Sequence, residues 1–535
     1  MYLPAVFIYD DVKELKWIAK IDSSYEVTGG KLYQANKLEN GNRVGKYLTG
    51  VSILQAPFFA IGHFVASQLD NYPSDGFSTP YQYAIAFGAL LYAFLALLGL
   101  RKILLYFFDD YVTALTLLLL FLTSNLVQYI SIDAGISHVF ILPLYVLILY
   151  FTILWHKAPT ILYAALAGFT IGIATICRPT EFLMILIPIL WQSHNKISWQ
   201  LKWKLVKSKK HHALVAAIFL LLGILPQLIY WHYIAGTPIY NVGSKWVFLD
   251  PWFRVLVGIK NGWFVYTPIA TLMFVGLFFV KKYPFGRAVL FFGLLNIWVI
   301  ISWFDWQYGA TFSCRALTQS YPVYALALAA LIQRSLNYNI KWLWALLLVF
   351  LTTLNTIQIY QYNNAMLLPR YMTARYYSGI FMQVQPSPLA MARLDTKEEM
   401  TNSSQISIAR TLDEIPASPL NTNPNEAKFI LDTTLTKPLK KWIRIKSDIA
   451  LTKGFFTTYL NAEIHGKDSV KYSRIRLFNP ACREGKINSY AFDILVPKGD
   501  SYNRIVLYVA SSDSLEGKLH RLRVEEYQEV NSARK

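Results

Sequence analysis

Between residues 81 and 362 the chain is a succession of apolar runs separated by short basic loops, and this pattern restricts the fold more than anything else in it. Ten runs begin near Tyr81, Tyr111, Ile136, Thr160, Thr180, Ala213, Trp263, Arg287, Gln319 and Lys341. Each reaches or approaches the roughly 20 residues that carry a helix across a hydrocarbon layer about 30 Å thick. Hydrophobic residues make up 54% of the 535 and charged residues 16%, a balance foreign to soluble proteins of this size. The sequence therefore predicts a polytopic α-helical membrane protein. The two runs that flank Arg178-Pro179 can be read as two spans, as one long kinked helix, or as a helix followed by a re-entrant piece. Residues 47–69 are apolar too, but Gln55, Pro57, His63 and Gln68 interrupt them. They read as an amphipathic or re-entrant helix at the membrane surface, with a true span as the alternative.

The basic residues orient the chain. If Tyr81 opens the first crossing, one set of loops holds fourteen of them: Arg101, Lys102, Lys157, Lys196, Lys202, Lys204, Lys207, Lys209, Lys210, Lys281, Lys282, Arg287, Arg334 and Lys341. The opposite short loops hold five, namely Arg178, Lys245, Arg254, Lys260 and Arg315. The richer set marks the cytoplasmic side. Residues 1–80, the loops around Asp133, 236–262 and 304–318, and everything beyond about 362 then lie outside. Topology also accounts for the net charge of +19, which is therefore not a nucleic-acid signature. An exterior first loop needs a helix to carry it across, so the sequence predicts a further helix ahead of Met1; the alternative is that residues 47–69 span after all and put Asp10 in the cytoplasm. The three cysteines, Cys177, Cys314 and Cys482, cannot all pair, which excludes a disulfide framework and leaves room for one Cys177–Cys314 bridge.

After residue 362 the composition changes. Residues 363–426 form a polar connector with a short helix expected near 369–381. Residues 427–535 alternate apolar and polar side chains in short runs, at 442–445, 455–464, 472–478, 489–496, 504–510 and 519–526, with turn clusters such as Ser511-Ser-Asp513 between them. Repeated short strands without helices predict an antiparallel β-sandwich. It serves either as a structural lid or as a binder of carbohydrate.

The chemistry-bearing residues lie in the exterior loops. Asp10 and Asp11 end an aromatic run where the chain leaves the membrane surface. A carboxylate there suits a general base, and it suits equally the first turn of a helix. Asp22 is a lesser candidate of the same kind. Arg178, in Cys177-Arg178-Pro-Thr-Glu181, is costly at that depth without a partner; Glu181 or a lipid phosphate can supply one. Trp303, Asp305, Trp306, Tyr308 and Arg315 combine stacking surface with charge, as sugar rings and phosphates require, or as an interfacial aromatic belt does. Asp133 and His138 share the same face, as do Lys46-Tyr47 and the stretch 261–268. No zinc, P-loop or dinucleotide spacing occurs.

These residues resemble the polytopic GT-C glycosyltransferases that use polyprenyl-phosphate sugars, in particular the protein-mannosyltransferase and aminoarabinose-transferase type. The resemblance spans about residues 1–362. In that group a long first exterior loop carries a catalytic acid near its start and then a Lys-Tyr-Pro-like element before an amphipathic helix. Lys46-Tyr47-Leu48-Thr49-Gly50 is similar to that element, with Leu48 in the place of proline. Arg178-Pro179 is similar to the recurrent Arg-Pro pair. Gly309, Phe312, Arg315 and Pro322 resemble the pattern Gly-x-x-Phe-Gly-x-Arg, with Ser313 in the place of its second glycine.

The resemblance implies a GT-C-like fold in a bacterial inner membrane, with the C-terminal domain periplasmic. It implies transfer of a sugar, with inversion, from a polyprenyl phosphate to a glycan, lipid or protein acceptor. Asp10 or Asp11 would be the base. Lys46, Arg178 and Arg315 would hold the phosphate, and Tyr47, Asp133, His138, Glu181 and Trp303 would complete the binding surface. Some members use a divalent cation and others do not; this sequence indicates none. The family acid lies a few residues before a tyrosine comparable to Tyr2, which puts it upstream of Met1. Two other readings stay open: a lipid-linked glycan flippase, which would need ionisable residues along a midplane path, and a membrane anchor that displays a glycan-binding sandwich.

Overall fold

The computed structural model describes residues 1–28, 34–309, 311–338, 340–400, 406–478, 482–498 and 500–529. It divides into two compact units, Met1–Asn355 and Thr356–Lys535. The first is helical and the second is mainly antiparallel sheet, which agrees with the fold class read from the sequence.

Among the described residues, five helices are long and apolar enough to cross a membrane: Gly50–Ser67, Thr79–Leu104, Ser137–Lys157, Lys210–Ala235 and Lys341–Asn363. Shorter apolar helices, among them Asp110–Leu122, Ile161–Cys177 and Gly286–Ile301, pack between them. Ser137–Lys157 is mostly enclosed, whereas the other four long helices leave most of their apolar surface outward. That arrangement is stable where the solvent is lipid, because helices satisfy their own backbone groups. Polar residues set the helix starts. Asp109 accepts a hydrogen bond from the Val112 amide at 2.8 Å, and Thr160 accepts one from the Tyr163 amide at 3.2 Å.

The helices Ile161–Cys177 and Lys210–Ala235 meet through glycine. A Cβ on Gly172 would lie 2.3 Å from the Leu220 carbonyl oxygen, and one on Gly168 would lie 2.0 Å from that of Ala216. Only a residue without a side chain permits this approach. Helix Ile161–Cys177 stops at Arg178, whose backbone is extended at φ −152° and ψ 128°. The following proline disfavours helical geometry at the residue before it. The chain then resumes as a 3₁₀ turn, Pro179–Ile185, and a short helix, Leu186–Leu190.

Ahead of the first long helix, helices Tyr2–Phe7 and Ile18–Tyr25 precede a small antiparallel hairpin of β1 (Ala35–Lys37) and β2 (Arg43–Gly45). Gln227, within helix Lys210–Ala235, accepts hydrogen bonds through Oε1 from the Thr49 amide at 2.8 Å and from the Thr49 hydroxyl at 2.9 Å. The Tyr230 hydroxyl accepts one from the Gly45 amide at 2.9 Å. The three cysteines are free and buried.

In the second unit the short helix Ala374–Ile380 falls in the stretch where the sequence predicts one. Among the described residues nine strands follow: β3 (Ile406–Ile415), β4 (Ser418–Pro419), β5 (Ala427–Thr434), β6 (Trp442–Lys453), β7 (Thr458–His465), β8 (Val470–Arg476), β9 (Asn488–Leu495), β10 (Arg504–Ser511) and β11 (Glu516–Glu529). They form a four-stranded sheet in the order β5-β10-β7-β8 and a second sheet in the order β3-β11-β6-β9, with β4 against β11. Alternation builds the core between them. Ile443, Ile445, Ile449 and Leu451 of β6 are buried together with Leu460, Ala462 and Ile464 of β7 and Ile505, Leu507 and Val509 of β10.

Candidate active site at the helix ends

Four chain segments converge where helices begin or end. His138 lies in the first turn of helix Ser137–Lys157, and Tyr145, seven residues on, shares its face. Arg178 terminates helix Ile161–Cys177, Glu181 belongs to the 3₁₀ turn after it, and Gln319 belongs to a second 3₁₀ turn, Arg315–Ser320. Glu181 is 1% exposed, so its carboxylate must be satisfied from within. Tyr145 donates its hydroxyl to Oε2 at 2.5 Å. Gln319 Nε2 donates to Oε1 at 3.0 Å, and the Thr180 hydroxyl donates to Oε1 at 3.1 Å.

These bonds fix the neighbouring ring. A carboxylate only accepts, so it must face the nitrogen end of the Gln319 amide. The oxygen end then faces His138 Nδ1 at 2.7 Å, and the imidazole carries its hydrogen on Nδ1. Arg178 Nη1 approaches both ring nitrogens, at 3.1 Å and 3.3 Å. That near-equality sets the guanidinium against the ring rather than in its plane, as a cation over an aromatic face. Arg178 forms no ion pair with Glu181 among the described residues, although it lies close enough to act on Glu181 through its charge. Of the two partners the sequence offers for Arg178, the glutamate is thus bound up elsewhere.

Arg315 occupies the first position of its 3₁₀ turn. Its Nε is buried with no hydrogen-bond partner among the described residues, and its charge, like that of Arg178, reaches His138. The loop that delivers it is pinned at several points. Tyr129 donates to the Phe312 carbonyl at 2.6 Å, Thr267 donates to the Ser313 hydroxyl at 2.9 Å, and Tyr308 donates to the Ile300 carbonyl at 2.5 Å. Trp303 stands with its ring 4.6 Å from that of Tyr308. Ala310, inside this stretch, lies outside the described residues.

The element Lys46-Tyr47-Leu48-Thr49-Gly50 arrives beside Arg178. A Cβ on Gly50 would lie 2.6 Å from the Ile176 carbonyl carbon, so the two stretches meet backbone to backbone. Lys46 and Tyr47 are exposed; the Tyr47 carbonyl accepts the Tyr2 hydroxyl. Asp133 accepts from Gln128 Nε2 at 3.1 Å, and Gln55 donates to the neighbouring Gly135 carbonyl at 3.4 Å.

The two N-terminal aspartates differ. Asp11 accepts the amides of Glu14 at 2.9 Å and Lys16 at 2.7 Å. Desolvation opposes its charge, but the amides of Lys16, Glu14 and Leu15 and the Lys16 ammonium outweigh it and hold the carboxyl below its ordinary range. Asp10 is exposed with φ +47°, and its carboxylate makes no hydrogen bond among the described residues. Neither aspartate is joined to the Arg178 cluster by hydrogen bond or ion pair there. Tyr145 and Gln319 were not singled out by sequence. The available signal was polar side chains inside or at the edge of apolar runs, which must find partners.

No group of three or more His, Cys, Asp and Glu arranged to hold a metal ion occurs among the described residues.

No protein-family model and no curated protein matches the chain. Among solved structures, the oligosaccharyltransferase of Archaeoglobus fulgidus in its apo form is similar at 12% identity and a TM-score of 0.36, over 68% of this chain and 54% of that one. Arabinosyltransferase EmbB from Mycobacterium smegmatis is similar at 10% identity and a TM-score of 0.33, over 83% of this chain and 58% of that one. The chain spans little more than half the length of either. Both likenesses are distant and carry no argument about the reaction.

Proposed function

We propose that the chain is a membrane glycosyltransferase that moves a sugar from a polyprenyl-phosphate donor to a glycan, lipid or protein acceptor at the outer face of a bacterial inner membrane. One observation carries the reading: two guanidinium groups, Arg178 against the His138 ring and Arg315, lack a carboxylate partner among the described residues, and the Arg315 Nε is buried with no hydrogen-bond partner among them. A phosphate meets such a need, since it accepts several charge-assisted hydrogen bonds at once.

In this scheme Arg178 and Arg315, with Lys46 at the rim, hold the donor phosphate. The acceptor hydroxyl attacks the anomeric carbon, the bond from that carbon to the phosphate oxygen breaks, and the polyprenyl phosphate departs with the electron pair. Asp10 takes the hydroxyl proton, while Asp11 shapes the loop that presents it. Trp303 offers a ring face to the sugar. The two arginines stabilise the charge that grows on the leaving phosphate.

The test is sugar transfer by purified protein in proteoliposomes supplied with polyprenyl-phosphate sugars. R178A and R315A should each lower transfer by about 100-fold or more while the melting temperature stays unchanged. Undiminished transfer by both variants would overturn the scheme.

A further inference from the structure

The loop between the helices Leu186–Leu190 and Lys210–Ala235 is itself a helix, Lys196–Ser208, started by a reciprocal cap in which Asn195 and Ser198 exchange side-chain and backbone hydrogen bonds. No Asp or Glu occurs anywhere between Glu181 and Asp250, whereas Lys196, Lys202, Lys204, Lys207, Lys209 and Lys210 do. The rotation of the helix is fixed from within. Lys202 is buried, and its Nζ donates to the carbonyls of Pro188 and Trp191, both at 2.6 Å, which satisfies the end of the preceding helix. The opposite face therefore points outward. At about 100° per residue, Lys196, Ile197, Lys204 and Lys207 lie on the side away from Lys202, while Leu201 and Trp203 lie on its two flanks; Ile197 is 68% exposed, Leu201 60% and Trp203 47%, and Lys196, Lys204 and Lys207 are exposed. None of these three lysines joins an ion pair among the described residues. The helix runs straight into the membrane-length helix Lys210–Ala235, so it sits at a membrane boundary.

We propose that Lys196–Ser208 is an anionic-lipid binding element. It lies in the headgroup layer of the more basic membrane face. Ile197 and Leu201, one turn apart on the same edge, sink toward the acyl boundary, and Lys196, Lys204 and Lys207 hold the phosphates of acidic phospholipids. Exposed apolar side chains alone would suit any bilayer; three uncompensated lysines between them select a negative one.

The test uses the full chain with Ile197→Cys carrying an environment-sensitive fluorophore; the three native cysteines are buried, so the new thiol is the reactive one. The protein is reconstituted into nanodiscs of phosphatidylcholine with rising fractions of phosphatidylglycerol. Emission should shift to the blue as phosphatidylglycerol rises. Lys196, Lys204 and Lys207 changed together to Gln should raise the fraction needed for half of that shift by about fivefold or more, and the same three changed to Arg should restore it. Emission typical of water in every mixture would overturn the proposal, as would a blue shift indifferent to phosphatidylglycerol. Neither readout depends on sugar transfer.

Discussion

Gly50 and Cys177 touch through their backbones: a Cβ on Gly50 would stand 2.5 Å from the Cys177 amide nitrogen. The contact fixes the start of helix Gly50–Ser67 one residue from Arg178. G50A must push these segments apart. It should cost about 1–3 kcal/mol of stability and reduce sugar transfer more than binding of an unrelated lipid. Thermal unfolding in detergent, read beside transfer in proteoliposomes, checks both.

Glu181 serves three donors, so replacing it strands them. E181A should destabilise the protein by about 1–3 kcal/mol for each buried donor left unpaired, with E181Q intermediate because it still accepts through one oxygen. Q319L removes the link that sets the His138 ring and should lower transfer with a smaller effect on melting. Equal melting for E181A and the parent protein would contradict the hydrogen-bond assignment.

Asp10 and Asp11 separate stability from chemistry. D11A deprives two amides of their acceptor and should lower the melting temperature, since hydrogen bonds to a charged group contribute about 1.5–3 kcal/mol each. D10N should leave melting unchanged and abolish transfer. If D10N transfers sugar at the parent rate, Asp10 is not the base.

Asp500 supplies a pH signature in the second unit. The Ser469 hydroxyl, at 2.8 Å, and the amides of Asp468, Lys467 and Ser501 bind its carboxylate and hold its pKa down at about 2. Because the folded value is depressed, the stabilisation is complete above the ordinary aspartate value near 3.8 and is lost as pH falls from there through 2. Hydrogen exchange of the β7–β8 region, corrected for intrinsic rates, should rise across that window in the parent protein and stay flat in D500N.

Much of the fold was legible because its periods are strong. The strands predicted at 442–445, 455–464, 472–478, 489–496, 504–510 and 519–526 fall within or overlap β6 to β11, since alternation there reflects one buried face. β3 was hidden. Arg410 interrupts the apolar face that Ile408 and Leu412 would share, and the Pro, Ser and Asn around the stretch argued for a connector. The helix Lys196–Ser208 was concealed differently, because a basic loop already fits the cytoplasmic side of the membrane and its lysines show no helical period by themselves. In the site, Arg178 was legible from its cost in an apolar setting. That it stacks against His138, and that the Gln319 amide holds that ring, was not legible, because residues 138, 178 and 319 meet only once the helices have packed.

The seam of Gly168, Gly172 and Gly223 has a mechanical meaning. Where backbone lies on backbone there is no room for an isoprenoid chain, and parting the two helices would forfeit their close packing. The helices Ile161–Cys177 and Lys210–Ala235 therefore behave as one stiff plank that carries Arg178 at its end. On the proposed function, a donor tail would enter along some other flank of the bundle than this glycine seam.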